Sequence, residues 1–252
     1  MQLAGALALV TGASSGIGEA TSLALAAAGA QLILTGRDEE RLRAVAGRTG
    51  GTALPADLAR PGAVAALTTS ALHVRGHIDV LICNAGVGWA GPISEMPAAT
   101  AAELTAINLL APVELARLLL PGMIARRAGH LVFVSSMAGA TGVRNEAVYA
   151  ATKAGLNNLA ESLRYELAGT GVGISLILPG PVDTPFFSRR GKPYERRRGW
   201  PAPVTSDRVA RAIVSAVTQR RAEVYVPGWL RFPAWLHGAA PSAFRQLAGR
   251  FS

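Results

Sequence analysis

A tyrosine and a lysine four residues apart, Tyr149 and Lys153, are the pair in this sequence with the clearest chemical use. On one helix, positions i and i+4 share a face and interact. A phenol is a poor acid–base group at its ordinary pKa of about 10, and lowering it to about 7 takes about 4 kcal/mol of preference for the phenolate. One cation about 4 Å away supplies that order of energy at an effective dielectric near 20. Ser136 ends an apolar run thirteen residues earlier, where its hydroxyl can hold a carbonyl oxygen as negative charge develops. The three groups suit proton transfer at the oxygen of a carbonyl or secondary alcohol while a hydride moves at carbon. Of the 25 basic residues only Lys153 and Lys192 are lysines, so the ammonium stands out in a chain that otherwise uses arginine.

A second constellation suits an anion. Thr11-Gly12-Ala13-Ser14-Ser15-Gly16-Ile17-Gly18 lies between a predicted strand and a predicted helix. Glycines there let backbone amides approach a pyrophosphate, and the helix that follows points its positive end at it. The second predicted strand ends Leu34-Thr35-Gly36-Arg37. An NAD-preferring site keeps a carboxylate at this place for the ribose 2′-hydroxyl. Gly36 stands there instead, and the guanidinium of Arg37 matches a 2′-phosphate.

These groups need a scaffold that brings strand ends together. Apolar runs at 6–10, 31–35, 52–56, 78–83, 130–135, 173–178 and 223–226 read as strands. Helical periodicity falls at 16–28, 38–48, 62–74, 98–127, 148–168 and 207–220. Continuously apolar strands are buried on both faces, as parallel sheets require. Strict alternation of strand and helix predicts a doubly wound parallel sheet, the Rossmann fold, as a three-layer α/β/α single domain. Ligands of such sheets bind beyond the carboxyl ends of the strands, where the glycine loop and Ser136 both fall.

The motifs in this order resemble the short-chain dehydrogenases/reductases, in their single-domain branch. They are T-G-x-x-x-G-x-G at 11–18, Cys83-Asn84-Ala85-Gly86, Tyr149-x-x-x-Lys153 and Pro179-Gly180. The resemblance covers residues 5 to about 227. Cys83 departs from it, since the family usually has asparagine there. The resemblance implies Ser136, Tyr149 and Lys153 as catalytic residues, with Asn108 holding a water in a proton relay behind the lysine. It implies a nicotinamide cofactor held by Gly12, Ser14, Ser15, Gly16, Ile17 and Gly18. Asp57 and Leu58 would flank the adenine, and Asn84, Ala85 and Gly86 the adjoining ribose. Pro179, Gly180, Val182 and Thr184 would run along the nicotinamide, with Tyr149 and Lys153 also touching the cofactor. NADP(H) is the expected cofactor on the strength of Arg37. NAD(H) stays open, because NADP users of the family often have a basic residue where this chain has Ser15. The helices at 98–127 and 148–168 pair between subunits in the family, which implies a homodimer or homotetramer.

Length and composition bound the rest. The 252 residues are 50% apolar and 16% charged, which suits one domain with a large core. One cysteine excludes an internal disulfide framework, and with four histidines a dedicated metal site is not expected. No basic leader opens the chain, and the most apolar stretch, 98–124, is interrupted by Glu103, Asn108, Glu114 and Arg117. A soluble cytoplasmic protein is the expectation, although a mean hydropathy of +0.30 leaves surface attachment open. His73, His77 and His130 read as surface or boundary residues, Asn157 and Asn158 as structural.

The net charge of +9 sits in the tail: residues 185–252 carry thirteen basic and three acidic groups. The domain is expected over 1–227, with a substrate lid at 185–203 and a basic, aromatic extension over 228–252. Phe186, Phe187, Trp200 and Trp89 suit an apolar pocket for a hydrophobic small molecule. The run Arg189, Arg190, Lys192, Arg196, Arg197 and Arg198 suits an acidic substrate, an anionic membrane or simple solubility. Beyond the last strand, Trp229, Phe232, Trp235 and Phe244 among Arg231, Arg245 and Arg250 suit peripheral membrane contact or packing across a subunit boundary, the second preferred. Nucleic acid is not expected, since no recognisable module accompanies the charge. The competing reading is a dinucleotide-binding Rossmann protein that works as a membrane- or partner-binding module through this tail.

Overall fold

The continuously apolar runs form strands whose side chains are buried on both faces. The computed structural model describes residues 1–190 and 202–249. The strands are β1 (Leu7–Thr11), β2 (Gln31–Thr35), β3 (Thr52–Ala53), β4 (Val80–Cys83), β5 (Gly129–Val134), β6 (Val172–Pro179), β7 (Val182–Asp183), β8 (Val204–Thr205) and β9 (Glu223–Val226). The helices are α1 (Gly16–Ala27), α2 (Glu39–Thr49), α3 (Ala63–Arg75), α4 (Ala98–Thr105), α5 (Ala111–Ala125), α6 (Ala138–Thr141), α7 (Ala147–Glu166), α8 (Phe186–Arg189), α9 (Ser206–Gln219), α10 (Arg231–Ala239) and α11 (Pro241–Gly249).

Seven parallel strands run in the order β3-β2-β1-β4-β5-β6-β9. Period-two alternation sends each strand's side chains to two separate cores. Leu7, Leu9, Leu81 and Phe133 meet α3, α5 and α7 on one face. Ala8, Val10, Ile82 and Val132 meet α1, α2 and α9 on the other. The result is the doubly wound α/β/α sandwich expected from the sequence. Strand order reverses between β1 and β4, and the crevice beyond their carboxyl ends is where such sheets bind ligands.

Several local differences have physical reasons. β3 stops at Ala53 rather than continuing to residue 56, because it is an edge strand paired only with β2. Residues 98–125 are not one regular helix: a π turn over Ala106–Leu110 separates α4 from α5. By length and composition this segment is apolar enough to cross a bilayer. Its inner face, however, packs Leu115, Ala116, Leu119 and Met123 into the core beside the sheet, as a core helix does. His130 is not a boundary residue but fully buried in β5. The short β7–β8 pair and the two tail helices were not anticipated, since two-residue strands and residues 228–249 carry no distinct period. Lys192, Arg196, Arg197, Arg198 and Trp200, with Arg250 and most of the expected lid, lie outside the described residues.

Candidate active site and cofactor cleft

A single cleft of about 1780 Å³ crosses the carboxyl edge of the sheet, from the loop after β1 to the tail helices. At its first end Ser15 supplies no side-chain cap to α1, and Ser15, Gly16 and Ile17 line the cleft, so the helix's first amides remain available to an anion. Gly16 takes φ +60°, and a Cβ there would come 3.0 Å from the Thr184 methyl. Gly18 faces away from the cleft, and its role is close approach: a Cβ would lie 2.0 Å from the Gly12 carbonyl oxygen. Loop and helix therefore touch backbone to backbone. Asn84 locks the loop to the end of β4 through its amide, which donates to the carbonyl of Thr11 at 3.0 Å. The Thr11 hydroxyl accepts from the Asn84 and Ala85 amides, both at 3.0 Å. This backbone-lined cradle fits a dinucleotide diphosphate.

Further along, Gly36, Arg37 and Asp38 line the cleft together. Arg37 is half exposed and pairs with Glu103 across the cleft at 2.8 Å. Asp38 is a carboxylate on this stretch of the cleft, and its Oδ1 accepts from the Arg41 amide at 3.1 Å, capping α2. Leu58 lines the cleft whereas Asp57 does not: its carboxylate accepts from the Ala59 amide at 3.2 Å and faces Arg60 at 3.6 Å.

Ser136, Tyr149 and Lys153 converge in the middle of the cleft, with Ala85, Gly86, Pro179, Gly180, Val182 and Thr184 around them. Ser136 follows β5; its oxygen accepts from the Ala138 amide at 3.1 Å and is hydrogen-bonded to the Tyr149 phenol. Tyr149 and Lys153 sit one turn apart on α7, both buried. The Lys153 ammonium donates to the Val134 carbonyl at 2.9 Å and stands 5.8 Å from the Tyr149 ring centre. Ser135 anchors this part of α7 by hydrogen bonds to the Lys153 carbonyl, at 3.2 Å, and to Asn157, at 2.5 Å. Asn157 is thus the structural residue expected.

Asn108 does not line the cleft; it lies fully buried on the π turn behind Lys153. Its amide grips the Val87 backbone in both directions, at 2.9 Å each way, and donates to Thr152 at 3.2 Å. The space over Gly86 is nonetheless bounded by both groups: a Cβ there would lie 3.4 Å from Asn108 Oδ1 and 3.6 Å from Lys153 Nζ.

Electrostatics differ from the expectation of a tyrosine lowered by its lysine. Burial pushes the phenol up to about 12; the Ser136 hydrogen bond opposes this, Glu146 adds to it and Arg190 opposes it. Burial also pulls Lys153 down to about 8. Both charged forms lose hydration in the same pocket, and that cost exceeds what either group gains from its neighbours. In this arrangement Tyr149 is a protonated acid at neutral pH.

The segment after β7 covers the tyrosine. The Phe186 ring lies 5.6 Å from that of Tyr149 and the Phe187 ring 5.7 Å from that of Phe186. Arg190 stacks over Phe187 at 4.7 Å and forms a largely buried ion pair with Glu146, at the start of α7. Trp89 lines the cleft beside them. Sequence reading missed Glu146, Glu103 and Asp38 as wall residues, because their proximity is created only by the folded loops. The tail residues Trp229, Phe232 and Phe244 also line the cleft, with Leu230, a placement that their composition does not indicate.

Comparison with known proteins agrees with this geometry. The short chain dehydrogenase family profile matches residues 6–195. Ketoacyl reductase HetN of Nostoc sp. is 36% identical over 234 residues, 89% of this chain and 79% of its own length. Dehydrogenase/reductase SDR family member 7B of Bos taurus is 30% identical over 262 residues, covering 96% and 80%. Among solved structures, a short-chain dehydrogenase from Sphingobium yanoikuyae in complex with NADPH superposes with TM-score 0.81 at 28% identity, covering 97% and 93% of the two chains. A metagenomic short-chain oxidoreductase in complex with NADP gives 0.75 at 37%, covering 89% and 98%. A Burkholderia phymatum enzyme of the same class in complex with NAD gives 0.85 at 26%, covering 94% of each.

Proposed function

Since the chain belongs to the short-chain dehydrogenase/reductase family and is an NAD(P)-dependent oxidoreductase, we propose that it works with NADP(H) on the carbonyl or secondary alcohol of a hydrophobic small molecule. The observation that carries this is the convergence of Ser136, Tyr149 and Lys153 in one cleft with the glycine loop. NADP(H), when bound, supplies or accepts the hydride. Gly12, Ser14, Ser15, Gly16 and Ile17 would hold its diphosphate, and Arg37 its 2′-phosphate. The exposed Arg37–Glu103 pair is worth at most about 1 kcal/mol, so a phosphate can replace the carboxylate. Asp38 is committed to its helix cap, which supports NADP(H) over NAD(H).

For reduction, Ser136 holds the substrate oxygen and Tyr149, protonated at neutral pH, delivers the proton to it. The phenolate that results is stabilised by the Lys153 ammonium one turn along α7, 5.8 Å from the ring centre. Asn108 fixes the π turn and the Val87 backbone, and bounds the space behind Lys153 through which a proton would be resupplied. Exposed Leu110, Val113 and Ile124 around α5 and Tyr165 on α7 support association through these helices as a homodimer or homotetramer. We place the protein in the cytoplasm, consistent with its lone buried thiol, Cys83. A pure binding module has no use for this set of reacting groups, so the enzyme reading is preferred.

The test is Tyr149→Phe assayed with NADPH and a panel of apolar ketones. Turnover should fall by about 10³-fold or more while NADPH affinity stays within a few-fold. Undiminished turnover in the variant sinks the assignment.

A further inference from the structure

The tail helices form the outer wall of the cleft, and they are one helix thick. Leu230, Leu236 and Phe244 line the cavity, as do Arg245 and the half-exposed Leu247, with His237 and Phe244 stacked edge to face at 5.1 Å to join α10 to α11. On the outside, Trp235 is 63% exposed, and Trp229 and Phe232 are 57% and 65% exposed while also reaching the cavity. Phe232 and Trp235 lie together, 6.1 Å between ring centres. Residues 228–249 contain Arg231 and Arg245 and no aspartate or glutamate. A cluster of tryptophan and phenylalanine beside arginine, with no acid among them, is the composition that settles at a bilayer interface.

We propose that the outer face of α10 and α11 docks on an anionic lipid surface, so that a lipophilic carbonyl substrate enters the cleft from the bilayer. The inference rests on the reductase reading above for its second half and on the tail alone for its first. Charge argues against a second copy of the chain as the occupant, the packing preferred from sequence. Across a two-fold axis the same patch comes from both copies, so a hairpin that carries Arg231 and Arg245 and no acid offers its copy no counter-charge. Anionic headgroups supply that counter-charge to each arginine near the surface. Continuity decides the substrate route: Trp229 and Phe232 belong at once to the exposed face and to the cavity wall, so a lipid covering the face lies at the cleft.

The full-length protein with NADPH is sedimented with vesicles of phosphatidylcholine containing about one quarter phosphatidylglycerol, and with pure phosphatidylcholine. Wild type should bind the mixed vesicles, with binding weakened by salt, and its tryptophan emission should be quenched by brominated lipid. The double variant Trp235→Ser, Arg231→Glu should lose about tenfold or more in vesicle affinity. It should keep wild-type turnover of a water-soluble ketone and lose rate on 2-dodecanone carried in vesicles. Trp235→Phe should retain binding, which separates loss of the interface from loss of folding. No binding of wild type to either vesicle overturns the inference, as does a dimer that dissociates on Trp235→Ser. Failure to reduce any ketone, with vesicle binding intact, overturns the reductase reading and leaves the docking face standing.

Discussion

The Phe186 ring rests 5.6 Å from the Tyr149 ring, tilted by 50°, so the proposed proton donor and the segment after β7 form one packed unit. A Cβ on Gly88 would lie 2.5 Å from Phe186, which shows how closely the ring is seated against the opposite loop. Both rings line the cleft, so an apolar substrate held at the phenol should touch Phe186. Phe186→Ala removes apolar contact worth about 1–2 kcal/mol, so KM for a bulky apolar ketone should rise roughly tenfold with a smaller change in kcat. Steady-state kinetics on a small and a bulky ketone check this. Equal effects on both would remove Phe186 from substrate contact.

On the proposed NADP(H) reading, Arg37 is the residue that should separate the two nicotinamide dinucleotides. Loss of a charge-assisted contact costs about 1.5–3 kcal/mol, so Arg37→Ala should weaken NADPH binding about 10- to 100-fold and leave NADH binding unchanged. Fluorescence titration with each cofactor reads both numbers. Tighter NADH than NADPH binding in wild type would reverse the cofactor preference.

Lys153 makes stability depend on pH in a definite direction. Its folded pKa of about 8 lies below its ordinary 10.5, so between these values the unfolded chain binds more protons and stability rises with pH. Below pH 8 the folded state carries the whole cost of burying the ammonium, on the order of 3 kcal/mol. Lys153→Met lacks this titration. Its stability relative to wild type should therefore be greatest below pH 8 and decline as pH rises towards 10.5. Denaturant melts across that range give the curve, and a flat difference would mean that Lys153 is hydrated.

His130 acts at the acid end. Burial, helped by Arg220 and the N-terminal amine, lowers it to about 4 from 6.5. The Ser175 hydroxyl donates to the Arg221 carbonyl at 2.6 Å and so accepts from His130 Nε2 at 2.8 Å, which keeps the ring neutral with Nδ1 unprotonated. Between pH 6.5 and 4 the unfolded state binds the extra proton, and stability should fall by up to about 3 kcal/mol as pH drops. His130→Gln should flatten that part of the pH–stability curve. An unchanged slope would assign acid sensitivity to the carboxylates.

Much of this was legible before folding. Seven strands and six long helices follow from period and from glycine punctuation, because a strand buried on both faces must be continuously apolar. The spacing of Tyr149 and Lys153 on α7, and of the glycines at 12, 16 and 18, carries its meaning in local geometry, which neighbours along the chain determine. The environment of those groups was decided elsewhere. Whether Tyr149 is a phenol or a phenolate depends on burial, on Ser136 in the loop after β5 and on the Glu146–Arg190 pair, whose members are 44 residues apart. His130 could be placed inside only once β5 was known to lie between β4 and β6. The tail shows the division most clearly: its aromatic and basic composition is written in the chain. That one face of it walls the cleft while the other meets solvent is a property of tertiary packing alone, since burial and dielectric are set by contacts between residues distant in sequence.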